Sequence, residues 1–175
     1  TYNISGSTRI TGGLGNWTGT VIAVGSALEL TGGAGNLSST SGTISLLSLI
    51  ISGGTLSGSN TIIVSVSFNW SGGLMSGAGV TTVNGTASIS GASDMELDRT
   101  LNLGGATIWT GSGSIRMFST AFIDVQSTGL FEVQNDASLS LGNGIAGAVF
   151  NNAGIFRKSV GTSVTSVNVT FNNTG

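Results

Sequence analysis

Apolar residues recur along the chain as short alternating sets, among them Ala27/Leu28/Leu30, Met95/Leu97, Leu101/Leu103, Ile115/Met117, Ile123/Val125, Phe131/Val133 and Leu139/Leu141. Gly, Ser, Thr and Asn separate the sets. Alternation over so few positions predicts strands of three to five residues, each turning one side inward. Helix is excluded because β-branched residues and 30 glycines outnumber the residues that fill helices, and a glycine inside a helix costs about 1 kcal/mol relative to alanine.

The alternation sits inside a longer repeat. Ile10-Thr-Gly-Gly-Leu-Gly-Asn-Trp-Thr18 returns twenty residues later as Leu30-Thr-Gly-Gly-Ala-Gly-Asn-Leu-Ser38. Ser52-Gly-Gly-Thr-Leu-Ser-Gly58 and Ser71-Gly-Gly-Leu-Met-Ser-Gly77 follow at offsets of twenty-one and nineteen, and Ser90-Gly-Ala comes nineteen further on. A second marker, an aromatic or Leu followed by Asn, runs through Phe68-Asn69, Leu101-Asn102, Phe150-Asn151 and Phe171-Asn172, with Phe122 between the second and third. The long step from Phe122 to Phe150 predicts an inserted loop within Gln134 to Gly147.

A fixed period of this length is the mark of a solenoid. A rung of about 20–22 residues, divided among three strands that each pair with their counterparts ~4.8 Å away, gives an all-β, single-stranded parallel β-helix. The turn and ladder positions are then Gly12, Gly13, Asn16, Gly32, Gly33, Asn36, Gly53, Gly54, Gly72, Gly73, Asn102, Asn151, Asn152 and Asn172. Glycine and asparagine are expected at the corners because both tolerate positive φ. Proline is absent, as a continuous hydrogen-bonded ladder requires.

Such a glycine content would suggest disorder, but 39% of residues are apolar, so an ordered chain is expected. The 175 residues suit one β-solenoid domain spanning 1–175, a segment or subunit of a longer array. A net charge of −2 with five scattered basic residues offers no footprint for nucleic acid. The most apolar stretch, Ile44 to Phe68, is broken by Gly53 and Gly54, so no transmembrane helix is expected. Scarce Trp and Tyr argue against the girdles of an outer-membrane barrel. The chain opens in strand-like sequence without a leader, which suits a processed or excised piece of an exported protein. No cysteine is present, so stability must come from stacking.

The segments Thr82-Val-Asn-Gly-Thr-Ala-Ser-Ile-Ser-Gly91, Phe150-Asn-Asn-Ala-Gly-Ile-Phe-Arg-Lys-Ser159 and Phe171-Asn-Asn-Thr-Gly175 resemble the repeats of bacterial surface proteins of the filamentous-haemagglutinin and autotransporter-adhesin type. The resemblance implies a right-handed parallel β-helix at the cell surface, serving as stalk, adhesin or matrix component.

Candidate chemistry is sparse. The segments Gly12-Gly-Leu-Gly-Asn-Trp-Thr and Gly32-Gly-Ala-Gly-Asn-Leu-Ser approach a calcium-roll nonapeptide, but Trp17 and Leu37 stand where its aspartate belongs. No metal or other cofactor is expected. Asp94, Glu96 and Asp98 alternate along one strand and would project together, with Met95 and Leu97 inward. They are read as a solvated face with Arg99 nearby; the alternative is a polysaccharide-binding or polysaccharide-degrading site. Arg116 lies twenty residues from both Glu96 and Asp136, which would permit an ion ladder, whereas aligning Trp109, Phe131 and Phe156 gives steps of twenty-two and twenty-five; the aromatic register is preferred. Without His or Cys, no ordinary base can activate a serine, and an enzyme is not expected. Regular threonine ranks, as ice binding needs, are missing.

Charge is unevenly spread. No charged residue occurs from Leu30 to Ser93, and eight of the twelve fall between Asp94 and Asp136. The uncharged half is expected to contact a further copy of the chain or a host or matrix polysaccharide. No cap is evident in Tyr2-Asn-Ile-Ser or Val167-Asn-Val-Thr-Phe171, which read as plain strands, so end-to-end association into a filament is also expected. The chain therefore reads as an extracellular structural or adhesive module.

Overall fold

A computed structural model describes all 175 residues; it contains no helix, and every strand pairing in it is parallel. The chain winds into a β-solenoid of about nine coils. Coil one is β1 (Tyr2–Ile4), β2 (Ser7–Ile10) and β3 (Leu14–Trp17); coil two is β4 (Val21–Val24), β5 (Ala27–Leu30) and β6 (Ala34–Leu37). Coils three to six are carried by β7 (Thr43–Ile51), β8 (Thr55–Ser57), β9 (Thr61–Trp70), β10 (Leu74–Val83), β11 (Thr86–Ile89), β12 (Met95–Leu103), β13 (Ala106–Trp109) and β14 (Ile115–Met117). Coil seven is β15 (Phe122–Val125), β16 (Leu130–Val133) and β17 (Leu139–Leu141), coil eight contains β18 (Val149–Asn152) and β19 (Ile155–Lys158), and β20 (Thr170–Asn173) opens the last.

Three faces result. Face 1 runs from the start of β7 through β9, the end of β10, the end of β12, β15 and β18 to β20. Face 2 follows β2, β5, β7, β9, β11, β13, β16 and β19. Face 3 follows β3, β6, β8, β10, β12, β14 and β17. Strands of three to five residues hold for most of the chain, but β7, β9, β10 and β12 reach nine or ten. The reason lies at the corners. Between β7 and β9 the pairing continues from Thr43 to Ile51 with a single shift between Leu46 and Ser48, so the ladder bends around the corner without ending.

The glycine doublets set the register. Thr8, Leu28, Leu49, Phe68, Ala87 and Thr107 form one inward file of face 2, at steps of 20, 21, 19, 19 and 20 residues. The doublets repeat at the same offsets because each forms the corner after face 2. Their second glycines, Gly13, Gly33, Gly54 and Gly73, have φ of +67° to +81°. A methyl group on Gly54 would lie 2.5 Å from the carbonyl oxygen of Gly33 in the coil beneath, so the stacked corners leave no room for a side chain. Gly32, Gly53 and Gly72 press in the same way on Thr11, Thr31 and Ser52.

Asparagine does not share this role. No non-glycine residue has positive φ. Asn16, Asn36, Asn102, Asn151, Asn152 and Asn172 all lie within strands, where an extended backbone lets their amides bond from coil to coil instead of turning the chain.

The second marker needs two corrections and the aromatic register one. Phe68 belongs to face 2, whereas Leu101, Phe150 and Phe171 belong to face 1. Ile123, not Phe122, stands between Leu101 and Phe150; Phe122 points outward. Trp109 registers with Val133 and not with Phe131, although Phe131 and Phe156 do pair at the expected step of twenty-five. The causes differ: Phe68 lies on another face, Phe122 is one residue from the inward position and so turns to the other side of the sheet, and Phe131 is two residues from the partner of Trp109 and so stays inward.

The loop expected over 134–147 is interrupted by β17, which pairs with β14 on face 3. The excursion itself is 142–148, seven residues between β17 and β18 where the preceding coil needs only 118–121. A second excursion, 159–166, precedes Val167, which bridges back to Leu139. The stretch from Val167 to Phe171 therefore turns from face 3 to face 1 and is not one plain strand.

One apolar cluster of 34 buried residues runs through the coil. Along face 2 the wide layer Phe68/Trp70 is followed by Ala87/Ile89 and then Thr107/Trp109, so bulky and small layers alternate and the coil cross-section stays filled. Toward the C-terminal coils aromatic rings take over. Phe131 and Phe156 stack at 5.8 Å, Phe150 meets them at 5.2 and 5.6 Å, and Phe171 meets Phe156 at 5.4 Å.

Candidate functional surface

The acidic strand start is placed as the alternation predicts. Met95 and Leu97 are fully buried, and Asp94, Glu96 and Asp98 lie on the outside. Each carboxylate already has a partner one coil on. Asp94 accepts the Ser114 backbone N–H at 2.9 Å, Glu96 pairs with Arg116 at 3.4 Å, and Asp98 accepts the Thr120 hydroxyl at 2.5 Å. The three groups act as rivets between coils.

Arg116 is thus half of the ion ladder that the spacing allowed, alongside the aromatic register on face 2. Its second partner is the carbonyl of Gly142, and Asp136 pairs instead with Lys158 at 2.7 Å. The extra residues in coil seven move Asp136 out of reach.

Arg99 is not on the solvated face. Only 2% exposed, it turns inward at the corner between faces 3 and 1. Its Nη1 donates to the Ser76 carbonyl at 3.2 Å and its Nη2 to the Asn60 carbonyl at 3.3 Å. The bare backbone of Gly79 makes the space: a methyl group there would strike both the guanidinium and the Asn60 carbonyl. Burial lowers the pKa of Arg99 to about 10, since leaving water disfavours the charged form. Alternation itself places Arg99 there, since Met95, Leu97, Arg99, Leu101 and Leu103 all face inward along β12, while the facing strand β10 takes up its extra residues between Ser76 and Val80.

Amide ladders line the outside. Asn36 donates to Asn16 at 2.8 Å on face 3; on face 1 Asn102 donates to Thr82, Asn151 to Asp124 at 2.5 Å, and Asn172 to Asn151 at 2.8 Å. Asn152 points inward and donates to Asn173 at 2.6 Å. A shallow groove lined by Asp124, Gln126, Asn151, Asn172 and Thr174 runs beside the face 1 ladder.

Two tight polar clusters lie at the C-terminal coils. Glu132 accepts hydrogen bonds from the Ser159 hydroxyl, from Arg157 at 2.6 Å and from Gln134 at 3.1 Å; these donors, Ser159 foremost, bring its pKa down to about 2. Lys158 donates to Asp136, to the Asn135 carbonyl and to Thr165, and the carboxylate also accepts the N–H groups of Thr162 and Ser163. The 159–166 excursion is wrapped around that ion pair, and Asp136 is held below the ordinary carboxylate range, chiefly by Lys158.

The charge-free half presents a continuous uncharged tract on face 2. One outward file reads Arg9, Glu29, Ile50, Asn69, Ser88, Ile108, Glu132, Arg157. Ion pairs stand at both its ends, Arg9–Glu29 at 3.2 Å and Glu132–Arg157 at 2.6 Å. Between them the face carries only Ile50, Asn69, Ser88 and Ile108 beside the small residues Ala27, Ser48, Ser67, Thr86 and Ala106. Leu47 and Val66, more than half exposed, border it at the corner with face 1. No group of three or more His, Cys, Asp or Glu side chains converges anywhere on the coil, and no helix is long and apolar enough to cross a membrane. Comparisons with known proteins give no match to a family model, to a curated protein or to a solved structure.

Proposed function

We propose that the chain is an extracellular structural or adhesive module of the surface-protein type, a stalk segment or filament subunit, and that face 2 of coils three to six is its contact surface. The β-solenoid fits a structural or adhesive repeat module. The observation that carries the reading is the charge-free tract of face 2 bracketed by two ion pairs. Only short hydroxyl, amide and aliphatic groups project there, with no long hydrated side chain to hold a partner away. A second copy of the chain, or the hydroxyl-rich surface of a matrix polysaccharide, can approach closely and bury it. The acidic rivets on face 3 serve the coil itself, which favours a mechanical role over a catalytic one.

The test is to place charge on that tract. Ser67→Asp combined with Ser88→Asp is expected to abolish self-association in sedimentation and retention on insoluble polysaccharide, with the melting temperature little changed. Ser140→Asp on face 3 is expected to leave both intact. Equal association and retention in the double variant and the parent would refute the proposal.

A further inference from the structure

The sequence contains two Asn-Gly pairs, Asn84-Gly85 and Asn143-Gly144. In such a pair the glycine nitrogen can attack the preceding side-chain amide, because no side chain shields it. We infer that Asn143 is a site of spontaneous deamidation in the folded protein and that Asn84 is protected by the coil.

The chemistry is self-contained. The Gly144 nitrogen loses its proton to solvent and bonds to Cγ of Asn143; the Cγ–Nδ2 bond breaks and ammonia leaves, closing a succinimide. Water then opens the ring at either carbonyl to give aspartate or isoaspartate. No oxidant, metal or enzyme is consumed, only water.

Both asparagines are exposed, and neither glycine N–H donates a hydrogen bond. What separates them is room to move. Asn84 donates its N–H to the Val64 carbonyl at 2.9 Å, and the pair is confined on both sides. The backbone of Val66 presses on Gly85 from the coil before, and Gly105 presses on the carbonyls of Gly85 and Asn84 from the coil after. Ring closure needs the backbone to rotate toward the side chain, which at this corner would break the stacking of three coils.

Asn143 sits at the tip of the 142–148 excursion. Gly144 has φ +72° and nothing within 4 Å of the position a side chain would take. The loop is tethered at its two ends, leaving the tip free: the Gly142 N–H donates to Met117, the Gly142 carbonyl accepts from Arg116 and Phe118 covers Gly142, while Gly147 lies against Ser119 and the buried Ala148 accepts the Thr170 N–H at 3.3 Å. The Asn143 side-chain oxygen accepts the Ile145 N–H at 3.1 Å. That bond draws electron density from Cγ and supports the negative charge that grows on the oxygen during attack, as a single oxyanion donor would. The extra backbone methylene of an isoaspartate is also tolerated best at a free loop tip.

The test is peptide mapping by mass spectrometry of the intact chain, aged at mildly alkaline pH both folded and in denaturant. In the folded chain the Asn143 peptide should gain 1 Da, the difference between an amide and an acid, at a rate close to that in denaturant. The Asn84 peptide should lag its own denatured rate by at least about tenfold, because reaction there awaits local opening of the coil. Gly144→Ala should slow the change at position 143 and leave position 84 unaffected. Equal folded-state rates at the two sites, or an Asn143 rate far below its denatured value, would overturn the inference.

Discussion

Replacing Gly54 by alanine tests directly whether stacked corners set the coil. Gly54 has φ +70°, and the new methyl group would lie 2.5 Å from the Gly33 carbonyl oxygen and 2.7 Å from the carbonyl carbon of Gly32. Holding alanine in the left-handed region costs about 1–2 kcal/mol. The contact adds roughly 1–3 kcal/mol, as overpacking against atoms that cannot rotate away does. A loss of about 2–5 kcal/mol corresponds, for a chain of this size, to a fall of about 4–20 °C in melting temperature. Gly42→Ala is the matched control: its φ is +74°, but nothing lies within 4 Å of the added carbon, so only the conformational cost of about 1–2 kcal/mol applies. Thermal unfolding followed by far-ultraviolet circular dichroism compares the two. Hydrogen exchange should place the added opening of the Gly54 variant in coils two to four, since each coil touches only its neighbours. If the two variants melt together, stacking contributes nothing at the corner and the steric argument fails.

Other outcomes follow from the interior and the polar clusters. Arg99→Ala removes two charge-assisted hydrogen bonds from the core and leaves the Ser76 and Asn60 carbonyls without this donor, so a loss of about 2–4 kcal/mol is expected in denaturant titrations, with Arg99→Met intermediate. In the parent, burial holds the pKa of Arg99 at about 10, below the ordinary arginine value. The unfolded chain therefore binds the extra proton between those values, and the Arg99 contribution opposes folding below pH 10 and is relieved as pH rises through that window. Glu132 has the opposite sign. With its pKa about 2 in the folded chain against an ordinary 4.5, its stabilising contribution is complete above pH 4.5 and is lost as pH falls toward 2. Acid titration followed by hydrogen exchange should show β16 and β19 loosening in that range, and Glu132→Gln should flatten the response. Phe131→Ala, at the centre of the aromatic stack, should cost about 3–5 kcal/mol in the same titrations.

Much of the fold is legible in the residues, because a parallel coil repeats its local demands. The corner after face 2 needs a glycine where a side chain would strike the neighbouring coil, as at 32–33, 53–54 and 72–73, so the doublets that begin at 12–13 carry both the period and its small irregularities. Strand alternation likewise placed Met95 and Leu97 inward and the three carboxylates outward, since parity within a strand is a local property. The same alternation places Arg99 inward, and what sequence could not supply is the room for a buried guanidinium over the bare Gly79 and its acceptors, the Ser76 and Asn60 carbonyls. The partners of Arg116 and Asp136 depended on how many residues the intervening corners absorb, and the true excursions, 142–148 and 159–166, were decided by which short segment found a strand to pair with in the coil before. Period and side-chain parity are thus properties of the residues themselves, whereas the room for a buried charge and the pairing of charges arise only when one coil settles against the next.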